Sequence, residues 1–317
     1  AAPRPRSSQS HGAAVKTLAV TGGTGFVGGH LMRMALAAGY RVKALTRKEQ
    51  SAYEGIEWVS GRLSDSNSLQ QLAEGADAAI HIAGAIRAEN RDGFAGPNIE
   101  GTRHMLAAAE AAGVRRFVHI SSLAAREPAL SDYGWSKAES ETLVRGSDTD
   151  WTIIRPPAVY GPGDSETLEL FAMAKRGLVI LPPSGRMSLI HVEDLCALIL
   201  ASLDGDTAKG ATFEPDDGTP TGLSHVEFGQ ALGTALGKSV RTFSMPAPIV
   251  RLGARLDRLF RGEDAKLTPD RARYFCHPDW VVNPEHAPPS SLWLPQTPYQ
   301  TGLKNTAKWY LDQGWLD

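Results

Sequence analysis

KTLAVTGGTGFVGGHLMRMALAAG, residues 16–39, decides the fold. KTLAVTGG (16–23) is a short apolar run ending in glycines, the pattern of a buried strand that meets a tight turn. GGHLMRMALAA (28–38) then reads as a helix stopped by Gly39. Between the two, TGGTGFVG (21–28) spaces Gly22, Gly25 and Gly28 as G-x-x-G-x-x-G. In a strand–turn–helix unit the first glycine permits the sharp turn. The second lets the backbone approach a pyrophosphate, and the third allows close helix–strand packing. The helix N-terminus adds free N–H groups and a positive dipole end. The unit therefore predicts a dinucleotide site at the start of the chain.

Outward from this unit, strands and helices alternate. YRVKALTR (40–47), ADAAIHIAG (76–84), VRRFVHISS (114–122) and DWTIIRP (150–156) read as strands. SDSNSLQQLAEG (64–75) reads as a helix capped by Ser64 or Asp65 and stopped by Gly75, and residues 98–112 as another. Strands apolar on both faces between helices predict an α/β chain, a doubly wound Rossmann parallel sheet. After Pro156 prolines and glycines become dense. MSLIHVEDLCALILASL (187–203) then reads as a strand and helix that rejoin the first domain. The expected organisation is a tail over 1–14 and a dinucleotide-binding domain over 15–160, rejoined by about 187–213. Residues 161–317 are mainly a smaller C-terminal substrate lobe, with the small-molecule site in the cleft between.

Composition narrows the function classes. Hydrophobic residues make up 42% and charged residues 21% of 317, so a globular core is available. A net charge of −2 gives no electrostatic footprint for nucleic acid. Only Cys196 and Cys276 occur, which excludes a disulfide framework and a cysteine metal cluster and suits a reducing, cytoplasmic compartment. No metal constellation is found: Glu193 and Asp194 stand too near His191, and no second His shares that face. Nor is there a run of about 18 apolar residues to span a membrane. Residues 1–14 (AAPRPRSSQSHGAA) lack an apolar h-region and read as a disordered tail, not a complete secretory signal. PIVRLGARLDRLF (248–260) sets Ile249, Leu252, Leu256 and Leu259 on one face and Arg251, Arg255 and Arg258 on another. A basic amphipathic helix of this kind can lie on a membrane, but it is expected to pack on its own lobe or line an apolar pocket.

Two further stretches carry chemistry. At the end of the second strand LTRKEQ offers Arg47 and Lys48 and no acid until Glu49. Two cations suit the 2′-phosphate of NADP(H); NAD(H) is the alternative. SDYGWSKAE (131–139) puts Tyr133 and Lys137 one helical turn apart on one face. An ammonium there favours the phenolate and is expected to lower the Tyr133 pKa toward neutrality. The spacing alone fits a solvated face equally well; the glycine turn upstream turns it into a candidate reaction centre.

The glycine turn, the strand ending in Ser121-Ser122 and the Tyr133/Lys137 pair resemble the extended branch of the short-chain dehydrogenase/reductase superfamily, the NAD-dependent epimerase/dehydratase family. HIAG, NIEGT, RPPAVYGPGD and LIHVEDL match that branch too, and GLKNTAKWYLDQGWL resembles the last helix of dihydroflavonol-reductase-like members. Two departures stand out. Gly61-Arg62-Leu63 replaces the frequent Gly-Asp-Leu, and Arg103-His104 follows Thr102 where a second Asn is usual; Asn98 keeps the first Asn position.

The resemblance implies that Ser122, with Ser121 as rival, holds a substrate carbonyl. Tyr133 passes the proton, and Lys137 tunes Tyr133 and holds the nicotinamide ribose. It implies cofactor contacts from Gly22, Thr24, Gly25, Phe26, Val27, Gly28, Arg47, Leu63, Ala83, Gly84, Ser121, Pro156, Ala158 and Val159, besides Tyr133 and Lys137. His191 and Asp194 are expected to be structural. The expected function is NADP(H)-dependent interconversion of a carbonyl and a secondary alcohol on a small organic substrate, by a chain that can form a homodimer. Alternatives are a nucleotide-sugar epimerase/dehydratase with tightly bound NAD, and a non-catalytic dinucleotide-binding subunit or sensor of a larger respiratory complex.

Overall fold

A computed structural model describes residues 16–262, 265 and 267–316; the tail expected over 1–14 lies outside the described residues. The chain begins with β1 (Thr17–Thr21), α1 (Phe26–Ala37), β2 (Arg41–Thr46), β3 (Ile56–Ser60), α2 (Ser66–Ala73) and β4 (Ala78–His81). It continues through α3 (Arg91–Phe94), α4 (Gly101–Ala111), β5 (Arg116–Ile120), α5 (Asp132–Arg145) and β6 (Asp150–Ile154). These strands and the later β11 form one seven-stranded sheet in the order β11-β6-β5-β4-β1-β2-β3, parallel throughout. The order reverses between β1 and β4. In such sheets ligands bind outside the carboxyl ends of the strands at this point of reversal.

After β6 come β7 (Ala158–Tyr160), α6 (Leu168–Lys175), β8 (Leu178–Leu181), β9 (Arg186–Met187), β10 (Leu189–His191), α7 (Val192–Ala201) and β11 (Ala211–Phe213). Then follow β12 (Leu223–Ser224), α8 (His225–Ala235), β13 (Arg241–Ser244), α9 (Ala247–Arg261), α10 (Pro269–Phe275), β14 (Asp279–Trp280) and α11 (Tyr299–Asp312). One apolar layer joins Leu31 and Ala35 of α1 to Leu195, Leu198 and Ile199 of α7 across one sheet face. Another joins Leu69, Leu72, Met105 and Val144 to the opposite face. A third, with Tyr160, Phe171, Phe228, Leu303 and Tyr310, ties the late helices together.

Several expectations shift. α1 starts at Phe26, not Gly28, because Gly28 must lie inside the helix to press on the turn below it. The strand over 56–60, which periodicity did not mark, pairs with β2 at the sheet edge. The helix expected over 98–112 begins earlier and is broken: Asn90 caps α3 through the Gly93 N–H at 3.0 Å, and Ala95–Glu100 form a wide π turn before α4. Pro97 has no N–H to give to a regular turn, and π turns of this kind occur often at functional sites. Over 187–213 the strand β10 pairs with β7 instead of the main sheet, while β11 joins the sheet beside β6.

α9 packs on its own lobe, as expected, but by a face other than its broad apolar one. It buries only Val250 and Ala254, in a small cluster with Ala272 of α10, and leaves Ile249, Leu252, Leu256 and Leu259 exposed. A narrow alanine–valine seam satisfies the helix, so its broad apolar face stays outside.

Candidate active site

The glycine turn is close-packed. Gly22 has φ +77°, and a Cβ there would stand 2.7 Å from the Ala83 nitrogen of the neighbouring strand end. A Cβ on Gly28 would stand 2.1 Å from the Gly22 carbonyl oxygen. These two positions admit glycine alone. Gly25 is roomier, its nearest such neighbour being the Gly22 oxygen at 3.3 Å, and it caps α1 without a side-chain bond. The first-turn N–H groups of Phe26, Val27 and Gly28 are thus left for an anion. A bare cradle lined by Thr24 and these glycines fits a dinucleotide pyrophosphate. Arg47 follows β2 directly and Arg62 lies two residues beyond β3; because Thr46 pairs with Ser60, both stand on one rim of the sheet. Both are exposed, and among the described residues neither makes an ion pair. Leu63 lies beneath α4: its side chain covers Gly101 and its carbonyl meets His104 Nδ1 at 2.8 Å.

β5 ends at Ile120, just before the two serines, and the structure separates them. Ser121 Oγ donates to Glu141 Oε1 at 2.5 Å. Glu141 also receives both fork nitrogens of Arg155, at 2.8 and 2.7 Å, and Arg155 reaches Glu214 at 3.2 Å. The Ser121 hydroxyl is therefore committed to a buried ionic network. Ser122 caps the turn Leu123–Arg126, accepting from Ala124 N at 3.2 Å, and its hydroxyl lies close enough to the Tyr133 phenol to favour the phenolate. Gly134 makes this meeting possible: a Cβ there would lie 2.6 Å from the Ala124 carbonyl oxygen. Ser131 caps α5 through the Gly134 N–H at 3.0 Å, and Trp135 carries the Arg91 guanidinium 3.7 Å above its ring.

Lys137 is buried and its Nζ donates to the Ile120 carbonyl at 2.7 Å. Burial lowers its pKa to about 8, against the opposing pull of Glu141. Tyr133 behaves differently from the expectation. Burial pushes its phenol above the ordinary value, and only the Ser122 hydrogen bond draws it back. The Lys137 ammonium is turned onto Ile120 instead of the phenol, so the one-turn spacing does not deliver the expected depression. Tyr133 is accordingly a neutral phenol, a proton donor, at neutral pH.

Asn98, from the π turn, binds Ala85 at both ends: it accepts from the Ala85 N–H at 2.6 Å and donates to its carbonyl at 3.0 Å. It also donates to Ser136 Oγ at 2.8 Å. A Cβ on Gly84 would stand 2.7 Å from Asn98 Oδ1 and 4.0 Å from Lys137 Nζ, so the strand end beside the lysine is held open. The Pro156 carbonyl accepts from Leu123 N at 3.0 Å, and Ala158 and Val159 belong to β7, paired with β10. His191 accepts from the Glu193 N–H as cap of α7, and Asp194 Oδ2 accepts from Gln296 and Thr297 N–H at 3.2 and 2.8 Å. Both are structural.

The sequence reading missed Tyr274. Its ring meets Tyr133 edge-on at 6.4 Å from α10, while Phe94 lies 5.9 Å from Tyr133 on another side. With Leu130 and Trp280 these rings wall the phenol with apolar surface. Nothing local in TPDRARYF (268–275) marks the tyrosine.

A family model described as NAD(P)H-binding matches residues 22–203. The chain is 37% identical over 311 residues to a ceramide reductase of Caulobacter vibrioides (strain NA1000 / CB15N), covering 94% of this chain and 96% of the relative. It is 28% identical to a UDP-glucose 4-epimerase of Vibrio cholerae, covering 93% and 96%. The human epimerase family protein SDR39U1, solved with NADPH, superposes with a TM-score of 0.73 at 20% identity over 93% of this chain and 99% of that one. Reductases and epimerases thus share this chain's architecture over nearly their whole length. The chain belongs to the extended short-chain dehydrogenase/reductase superfamily, in its NAD-dependent epimerase/dehydratase branch, and is an NAD(P)-dependent oxidoreductase of that type.

Proposed function

We propose that this chain is an NADP(H)-dependent reductase of a ketone on an apolar, ceramide-like lipid. The observation that carries the reading is the Lys137 ammonium anchored on the Ile120 carbonyl at 2.7 Å at the end of β5, with the Ser122 hydroxyl and the Tyr133 phenol gathered beside it. When bound, the cofactor supplies the hydride. Ser122 orients the carbonyl oxygen, and Tyr133, held protonated by burial, gives its proton to that oxygen. Ser121 serves the Glu141–Arg155 network and leaves the carbonyl to Ser122. The apolar walls of Phe94, Leu130, Tyr274 and Trp280 suit a lipid better than a sugar nucleotide, and similarity to the Caulobacter ceramide reductase supports the same class. The residues beyond about 161, apart from those joined to the sheet, form the substrate lobe.

NADPH consumption with a long-chain N-acyl amino ketone tests the reading, with one alcohol formed per cofactor oxidised. Tightly bound NAD and epimerisation of UDP-glucose without net redox change would replace it.

Cofactor choice gives a second test. Arg47 and Arg62, exposed on one rim of the sheet, support the NADP(H) reading, since a guanidinium can grip a 2′-phosphate with charge-assisted bonds worth about 1.5–3 kcal/mol each. Arg47→Glu is therefore expected to raise the KM for NADPH by about tenfold or more while leaving that for NADH nearly unchanged. Equal effects on both cofactors would remove Arg47 from phosphate recognition.

A further inference from the structure

α9 is amphipathic in an unusual sense: its apolar face is the outer one. Ile249, Leu252, Leu256, Leu259 and Phe260 are 50, 56, 45, 75 and 81% exposed. At 3.6 residues per turn these five fall within one arc of about 100°. Val250 and Ala254 occupy a different face, turned toward α10. Arg255 borders one edge of the apolar arc, Arg251 and Arg258 lie further round on the same side, and Arg261 closes the helix; all four are exposed. The helix's single acid, Asp257, is already engaged, accepting from Leu267 N at 2.9 Å and pairing with Arg261 at 3.4 Å. β13 leads directly into α9, and its Phe243, paired with Ile180 of β8, is 58% exposed. Among the described residues no helix is long and apolar enough to cross a membrane.

We propose that α9 docks this protein on the surface of an anionic lipid bilayer. The five apolar side chains enter the boundary between headgroups and acyl chains, and the arginines meet lipid phosphates. Charge complementarity favours this occupant over a second copy of the chain. A two-fold contact through this face would bring the arginines of both copies into one interface, with no free acid on the helix to meet them. Docking has a geometric consequence. α9 rests on α10, and α10 carries Tyr274 onto Tyr133, so the docked helix stands one helix away from the phenol. This proposal does not rest on the reductase reading: binding to lipid is measured without turnover.

The test is co-sedimentation of the full chain with vesicles of phosphatidylcholine alone and of phosphatidylcholine with phosphatidylglycerol. Binding is expected to the anionic vesicles, about tenfold or more weaker to the neutral ones, and weakened by salt. Leu256→Gln/Leu259→Gln/Phe260→Gln alters exposed side chains only. It should keep the circular dichroism and Tm of the parent while losing about tenfold or more in partitioning. Arg251→Gln/Arg255→Gln should remove most of the preference for anionic lipid. Absence of vesicle binding by the parent, or equal binding by the triple variant, overturns the proposal. So does a dimer in sedimentation velocity that the triple variant converts to monomer, which would give the face to a second copy.

Discussion

Tyr133→Phe is expected to cut turnover by at least about a thousandfold while changing the Kd for NADPH by no more than about twofold. The substitution removes one oxygen and keeps the ring, so the packing with Phe94 and Tyr274 survives. Ser122 loses its partner but still caps the following turn, so the strand end stays in place. On the proposed mechanism, what disappears is the proton donor. Because burial holds the phenol protonated, wild-type reduction proceeds at neutral pH, whereas the reverse oxidation, which needs the phenolate, should rise with pH. Single-turnover kinetics with NADPH separates the two losses: binding intact, chemistry absent. Turnover within tenfold of wild type would move the proton-transfer role to another group.

The contrast between what sequence revealed and what it hid has a physical cause. TGGTGFVG was legible because two of its glycines answer a local steric demand: Gly22 and Gly28 have no room for a Cβ. The alternation of strands and helices was legible for the same reason, since burial on both faces writes itself along a strand. Ser121 against Ser122 was not decidable along the chain. The choice depends on Glu141, twenty residues on, and on Arg155 from another strand. The direction of the Tyr133 shift failed likewise. Helical spacing tells that Lys137 lies one turn away, but not that its ammonium turns to the Ile120 carbonyl. Tyr274 was invisible because nothing local ties a tyrosine on α10 to one on α5. The outward face of α9 was misjudged because amphipathic periodicity reports that a face is apolar and is silent about what covers it.

Lys137→Met should abolish turnover and yet leave the fold no less stable at neutral pH. The wild-type ammonium sits buried with a pKa of about 8 in place of the ordinary 10.5, which corresponds to a penalty on the order of 3 kcal/mol for keeping it charged in the folded state. Methionine has similar length and no charge, so it removes that penalty. It also gives up the bond to the Ile120 carbonyl, which returns about 1–3 kcal/mol of the gain. The pH dependence separates these terms. Between about pH 8 and 10.5 the unfolded chain still binds the lysine proton while the folded chain has released it. Wild-type stability from this group therefore rises with pH through that window. The methionine variant has no such rise. Urea unfolding of both proteins should show the stability difference, variant minus wild type, shrinking from pH 8 upward, while variant turnover stays below about 1% of wild type at every pH. A difference that is flat across the window would mean that Lys137 is not held charged against its burial, and would also undercut its part beside Tyr133.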